Sequence, residues 1–521
     1  MSLKRLTLFV LGTLSLLSLV IMPTLGQDAS QQFWTPAKFL GDGWWQSVTL
    51  DQENNLHVGW YGTVDVGDKI AHDVLTYTLR NSEGVWSKPL DVIYTGVGGF
   101  TVRNALAVTS DGILYAAFRG KTTHFISSAP IVGATNAVNW TPPNQIGSEG
   151  YYIDMIADRN DTLHVVLSGR SSSPTTAPAG SADTFAEGAK CFLCYDLLYR
   201  RSTDGGLTWS DEVPISTETD SGSDRPQIQE GPSGILYITW DEGLDWYIGG
   251  GEPRDVRMVY SEDHGLTWSK PVLFNGGGFT DRAPIEGSMT ELRDGSLMMV
   301  WRYSSNFDRS IYYQMSSDLG KTWTSPTAIP GIFARDVTQS SLDHYVLLTD
   351  RLGIVHLLAV GQTSLDVNRN DQLYDITYVP SSKYWTIPQR IFYSADSRPE
   401  WPEAVVGPAN DIHVTWFNRG VVAGSSCNTC ILKVFYSYLP GNMVAEPTRA
   451  FSPTQTPLPT ATVFQDIKPT PTPFPTLVGV KSGTNLLVTT QDNYAAQTFL
   501  GGLFISALFC GFVMMVVRLR R

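Results

Sequence analysis

Between about residues 30 and 445, apolar and polar positions alternate with a period of two in short runs, each introduced by Gly, Asp or Asn. The clearest runs are NNLHVGW at 54, DGILYAAF at 111, DTLHVVL at 161, SGILYITW at 233, DGSLMMVW at 294, LGIVHLLA at 352 and NDIHVTW at 410. Successive side chains of a strand point to opposite faces, so this alternation, rich in β-branched and aromatic residues, predicts half-buried strands. A further strand follows each run, as in DVRMVYS and SIYYQMSS. It leads towards a Trp followed by Ser or Thr, at Trp34, Trp86, Trp140, Trp209, Trp268, Trp323 and Trp385. Helical periodicity is absent between the termini.

Three connections spell nearly the same turn: STDGGLTWS (Ser202 to Ser210), SEDHGLTWS (Ser261 to Ser269) and SSDLGKTWT (Ser316 to Thr324). In S-x-D-x-G-x-T-W, the carboxylates of Asp204, Asp263 and Asp318 accept bonds from nearby backbone N–H groups. The Ser and Thr hydroxyls close the turn further, and Gly takes a positive φ. Recurrence at this spacing, with about four strands per unit, predicts an all-β fold: a β-propeller of four-stranded blades. Seven central strands and seven Trp starts give seven blades; six is the alternative, if a long or degenerate unit distorts the count. Trp34 precedes any central strand and the last repeat stops at YSYLPG, so the N-terminal strand is expected to close the final blade and remove the free edge.

Both ends of the 521-residue chain depart from this pattern. Residues 1–26 place Lys4 and Arg5 before an apolar run and a small-residue site, the layout of a secretory signal peptide. Residues 446–494 begin with a Pro/Thr-rich stretch that favours extended polyproline II geometry, a stalk. Residues 497–517 are apolar and long enough for one transmembrane helix. The basic tail 518–521 places the C-terminus in the cytoplasm. The expected protein is thus single-pass, with its propeller (30–445) outside the membrane. A net charge of −13, with no basic cluster outside the termini, argues against nucleic acid as a partner. Cys191/Cys194 and Cys427/Cys430 form two CxxC pairs; outside the cytoplasm these suggest disulfides, with a zinc site the cytosolic alternative. His57, His164, His356 and His413 recur at one strand position and read as packing residues, so neither a metal nor a cofactor is expected.

The turn motif resembles the Asp-box, or BNR repeat, of sialidases. APIEGSMTELRDGSLMMVWRYSS resembles that family's segment in which a Glu that activates a nucleophilic Tyr precedes the second Arg of a carboxylate-binding triad. The resemblance implies these roles for Glu286 and Arg302. VRNALAVTSDGILYAAFRG implies Arg103 as the first Arg, and NRNDQLYDITY implies Arg369 as the third. YYIDMIAD implies a pocket wall at Asp154. A cluster of guanidiniums suits an acidic sugar, because charge-assisted bidentate bonds match a carboxylate. The family's acid/base Asp and its Tyr are not at the expected places. Gly112 to Ser148 holds no Asp or Glu, and SRPEWPEAV stands where the Tyr belongs, with Tyr393 several residues early. Arg225, Arg282 and Arg398, in DRPQ, DRAP and SRPE, read as one structural position repeated in three blades. The function expected is a surface-tethered sialidase-like propeller acting on or recognising glycans, as a hydrolase or as a non-catalytic binder of glycan or protein.

Overall fold

The computed structural model describes residues 33–443, apart from 66–70, 98–102, 170–194, 217–221, 244–253, 275–281, 306, 337–343, 367–370, 421–430 and 442. The leader, the stalk and the C-terminal apolar segment lie outside the described residues. So does Arg369, expected as the third Arg of the carboxylate-binding set. The four cysteines expected to form disulfides, Cys191, Cys194, Cys427 and Cys430, also lie outside them. Among the described residues, no helix is long and apolar enough to cross a membrane.

The strands assemble as antiparallel sheets in which each strand hydrogen-bonds its sequence neighbour. Five separate four-stranded sheets and one nine-stranded sheet are formed, where the sequence predicts seven separate blades. The difference has a local cause. The strand Thr327–Ala334 continues past its own sheet, and Phe333 and Ala334 pair with Gln362 and Gly361 of the strand Val355–Gln362. Arg309 braces this seam, its Nε donating to the Ala334 carbonyl at 2.7 Å and its Nη2 to Gln362 Oε1 at 3.2 Å. The first strand of each repeat lies innermost and contacts the next: Trp44–Leu50 against Asn104–Val108, that against Ile153–Ala157, and so on through Ser397–Val406 back to Trp44–Leu50.

The chain's beginning completes its end, as the sequence predicts. Lys38–Asp42 forms the fourth strand beside Ile431–Leu439, and the Thr35 amide donates to the Tyr438 carbonyl at 2.9 Å. The last sheet thus takes its outermost strand from the start of the chain, which is how propellers protect their edges.

The recurring Trp residues dock one repeat onto the one before it. Trp140 meets Tyr77 edge-on, with ring centroids 5.9 Å apart. Trp268 meets Tyr199 at 4.8 Å, Trp323 meets Phe274 at 5.1 Å and Trp385 meets Tyr313 at 5.4 Å. Trp86 closes the circle on Tyr436 at 4.8 Å. Beneath three of these contacts, a buried His links a turn Asp to the same Tyr: Asp51–His57–Tyr77, Asp158–His164–Tyr199 and Asp411–His413–Tyr436. In a fourth repeat an acid replaces the Tyr, and His356 lies between Asp350 and Asp375. These histidines are packing devices, as their periodic spacing predicts.

The three repeated turns close as their residue types dictate. In the first, Asp204 Oδ1 accepts from the Ser202 hydroxyl at 2.8 Å and the Thr208 amide at 2.9 Å, while Oδ2 accepts from the Thr208 hydroxyl at 2.5 Å. Asp263 and Asp318 repeat the pattern with Thr267 and Thr322. The Thr208 bonds hold the Asp204 carboxyl down at about 2.

Candidate functional site at the mouth of the axial channel

Four of the innermost strands share an irregularity that sets the shape of the site. In the strand Trp44–Leu50 the register jumps between Trp44 and Ser47, so Trp45 and Gln46 together oppose one residue, Trp60. The same two-against-one bulge places Arg225–Pro226 opposite Trp240, Glu286–Gly287 opposite Trp301, and Trp401–Pro402 opposite Trp416. The first bulge residue is left-handed each time: φ is 50° at Trp45, 52° at Arg225, 57° at Glu286 and 52° at Trp401. A bulge of this kind re-aims a side chain and increases local twist. For residues with a Cβ, the left-handed backbone costs about 1–2 kcal/mol each. Strain held at matching positions of four repeats is a mark of function.

The opposing tryptophans explain why the bulges occur where they do. Trp60, Trp240, Trp301 and Trp416 are fully buried and each lies within a central strand, after the runs HVG, YIT, MMV and HVT. Where that position is Phe118 or Leu167, the adjoining inner strand pairs without a shift. An indole needs more width than one residue of the neighbouring strand leaves, and the extra residue supplies it.

Bulge positions are tied to the next repeat by side chains that satisfy the freed backbone groups. Asp241 is the hub. Its Oδ2 accepts from the Glu286 amide at 2.8 Å and from Arg225 Nη1 at 2.9 Å, and its Oδ1 accepts from the Gly287 amide at 3.1 Å. Asn104 Nδ2 donates to the Trp45 carbonyl and Gln46 Nε2 to the Trp401 carbonyl, both at 2.5 Å. Asp154 Oδ2 accepts the Ile228 amide at 2.8 Å.

Around this frame the charged and aromatic groups gather. The Arg225 guanidinium is 5 % exposed. Burial works against its charge, but the carboxylates of Asp241 and Glu286 outweigh burial and hold it firmly protonated. Arg103 is wrapped in aromatic faces, its guanidinium carbon 3.2 Å from the Trp45 ring centroid, 4.6 Å from Tyr152 and 4.8 Å from Trp401. His344 stacks on Trp401 at 4.4 Å, and burial, reinforced by Arg225 and Arg103, pushes it down to about 3, so it is neutral. Below this layer runs a cavity of about 430 Å³ walled by all the innermost strands, with Arg103, Asp154, His344, Trp401 and Glu403 in its lining.

The residues singled out from sequence therefore part company. Arg103 and Asp154 line the axial cavity. Glu286 sits on a bulge beside Arg225. Arg302 lies behind the mouth, fully buried, with Nη1 donating to the Arg335 carbonyl at 2.6 Å and Nε to the Tyr303 carbonyl at 3.2 Å. There Arg335 and Arg419 bracket Glu400 at 3.3 and 2.8 Å. Arg225, Arg282 and Arg398 do not share one position, contrary to the sequence reading. Arg225 matches Glu286 at the bulge; Arg282 precedes its inner strand and pairs with Asp308 at 3.1 Å; Arg398 pairs in register with Arg419, ahead of a bulge. The similar spelling of DRPQ, DRAP and SRPE hid an offset. Sequence reasoning missed Trp45, Tyr152, Arg225, His344, Trp401 and Glu403; the central-strand Trp residues were the signal that would have marked three of them, Trp45, Arg225 and Trp401.

Comparison with known proteins places this geometry among relatives. No family model matches the chain. A sialidase of Clostridium perfringens is 25 % identical over 179 residues, 30 % of this chain and 47 % of that protein. A sialidase of Paraclostridium sordellii is 24 % identical over 229 residues, 38 % of this chain and 55 % of that protein. An anhydrosialidase of Macrobdella decora is 27 % identical over 170 residues, covering 30 % and 20 %. The chain thus spans about half or less of the length of these curated relatives. Among solved structures, an ulvan lyase, a polysaccharide lyase, superposes with a TM-score of 0.53 at 11 % identity, covering 79 % of this chain and 96 % of that one; this likeness is one of fold. In its repeated four-stranded sheets, its three Asp-box turns and these partial matches, the chain is similar to the sialidases.

Proposed function

We propose that this protein is a glycan-acting propeller whose mouth engages acidic sugars, and that the two halves of its nine-stranded sheet count as two blades of a seven-bladed ring. One observation carries the reading of the site: Arg225 and Glu286 come from neighbouring repeats yet meet on Asp241, which accepts from the Arg225 guanidinium at 2.9 Å and from the Glu286 amide at 2.8 Å, on backbone strained to aim both. A cation beside a polar wall matches a sugar carboxylate. Sialoside cleavage is the hydrolytic form of this function, with Glu286 as the group that activates the nucleophile or polarises the substrate. Non-catalytic binding of a glycan or protein at the surface is the second reading, favoured by the missing acid/base Asp.

The same proposal includes topology. The leader, the stalk and the C-terminal apolar segment hold the propeller outside a membrane, on a single span with a short cytoplasmic tail. In that compartment Cys191 with Cys194, and Cys427 with Cys430, are oxidised as disulfides. The test of function is to offer the purified protein a fluorogenic sialoside between mildly acid and neutral pH, beside Glu286→Ala. Turnover lost in the variant supports hydrolysis. No turnover, with acidic-glycan binding retained, selects the binding reading.

A further inference from the structure

Among the described residues, one pair of repeats is joined strand to strand, and the join leaves a cleft between the outermost strands of both. In the first repeat, Thr327–Ala334 pairs with Ser310–Ser316 through Thr327 and Ala328, then again at Phe333. Ile311 alone stands opposite Ile329 to Ile332. Ile329 and Ile332 turn into the core, whereas Pro330 has no N–H for a ladder and Gly331 takes φ 81°. The outermost strand of the next repeat is interrupted at the facing place, between Tyr384–Trp385 and Gln389–Phe392, and Pro388 stands in the gap. A Cβ on Gly331 would lie 3.2 Å from Pro388 Cδ. Two interruptions, each carrying a proline, thus face each other.

Between them lies a cavity of about 650 Å³, within the range of small-molecule pockets, on the order of 300–1,000 Å³. Buried Tyr374 and Trp385 form its floor, and Pro330, Leu365 and Ile387 its rim. Leu365 is 84 % exposed and Ile387 89 %. A single exposed aliphatic residue is ordinary; two on the rim of one concave apolar cleft mark a binding surface. The turn that presents Leu365 is tied to the floor through Asp366. Its Oδ2 accepts from the Thr363 amide at 2.9 Å, the Thr363 hydroxyl at 2.7 Å and the Tyr374 hydroxyl, and its Oδ1 accepts from Gln372 Nε2 at 2.6 Å. Burial raises this carboxyl, but these bonds more than reverse that, so the acid stays ionised and is spent inside the wall. The other charged residue of the lining, Arg390, is exposed. It gives Gln372 Oε1 a long bond of 3.4 Å, and its guanidinium stands 5.7 Å from the Tyr393 ring. The cleft therefore offers an incoming molecule apolar faces and one cation.

We propose that this cleft is a binding site for a small amphiphilic anion, its aromatic or short aliphatic body seated between Pro330, Leu365 and Ile387 and its acidic group on Arg390. Burying the apolar body supplies most of the affinity, and the cation selects a carboxylate or sulfonate over a neutral molecule. The site shares no residue with the mouth or with the axial cavity, so it stands whether or not the mouth acts on glycans.

The experiment photolyses the full chain with benzoylbenzoate, and in parallel with neutral benzophenone, and locates the labels by mass spectrometry. Benzoylbenzoate should label residues 363–366 and 384–390 saturably. Ile387→Asp, at an exposed position, should reduce this labelling at least about tenfold, because it removes apolar wall and sets a like charge before the ligand. Arg390→Gln should weaken benzoylbenzoate about fivefold, the scale of one exposed ion pair, and leave benzophenone unchanged. Leu266→Asp, at an exposed apolar position of a different repeat, should change neither. Labelling that does not saturate, labels confined to other segments, an Ile387→Asp loss no larger than that of Leu266→Asp, or equal weakening of both probes in Arg390→Gln would overturn the proposal.

Discussion

Glu286 shows at the residue scale how backbone strain and function meet. Its φ of 57° is a conformation that glycine adopts freely, so Glu286→Gly should relieve about 1–2 kcal/mol of left-handed strain while abolishing the ligand response. A thermal melt of this variant is expected at or above the native midpoint, whereas Glu286→Val should melt well below it. Asp241 gives the opposite case. It neutralises Arg225 and caps two amides of the neighbouring bulge. Removing one partner of a buried pair leaves an uncompensated charge, so Asp241→Asn should cost about 3–5 kcal/mol in urea unfolding. Individual residues were also where the sequence was hardest to read. Glu286 and Arg103 were singled out through short local patterns, but Arg225 stands out only through Asp241, which joins it to the Glu286 amide of the next repeat, and spacing along one strand does not encode that.

At the scale of elements, what was legible had local causes. The Asp-box turns, the recurring His and the docking Trp all depend on residues a few positions apart or on exact recurrence, and the structure places them as the pattern implies. The join between two sheets was not legible, because it rests on two residue pairs at the end of an otherwise ordinary strand. The bulges had a signal in the sequence, since a Trp within the central strand lies opposite each one. The docking contacts predict that a single Trp carries part of the ring's cohesion. Trp140 is buried, meets Tyr77 of the preceding repeat and donates its indole N–H to the Ala134 carbonyl at 2.9 Å. Trp140→Ala should therefore cost about 3–5 kcal/mol by chemical denaturation, the usual loss for a buried aromatic. The mouth chemistry should survive under native conditions.

Over the whole molecule, titrating groups in the core set a pH profile. His356 is raised to about 9: burial opposes its charge, but Asp375 and Asp350 outweigh that. A raised histidine contributes stability that is fully present below its unfolded value and is lost as pH rises through the folded one. Asp154 and Glu403, raised to about 7 and 8, hold protons that the unfolded chain has released, so they too lower stability as pH rises towards those values. Asp51, Asp350 and Asp411 have lowered values: burial pushes each up, but bonds to His57, His356 and His413 more than reverse it. Their contribution is lost when pH falls below the ordinary carboxylate range. His344 and His124, pushed by burial down to about 3, stay neutral where the unfolded chain takes up protons, so their contribution is lost as pH falls below about 6.5. Stability should accordingly be flat between about pH 5 and 6.5 and decline from there to pH 9. His356→Gln should flatten the alkaline side of that curve. Closure of the ring is the other whole-molecule property, and deleting residues 33–42 should expose the edge of Ile431–Leu439 and produce self-association in sedimentation. Convergence of distant repeats on one mouth underlies the entire functional reading. Calorimetric titration with a sialylated oligosaccharide and its desialylated counterpart, on the native protein and Arg225→Gln, tests it most directly. The account predicts binding that requires the acidic sugar and disappears in the variant; equal binding of both sugars, or acidic-sugar binding undiminished in Arg225→Gln, would contradict it.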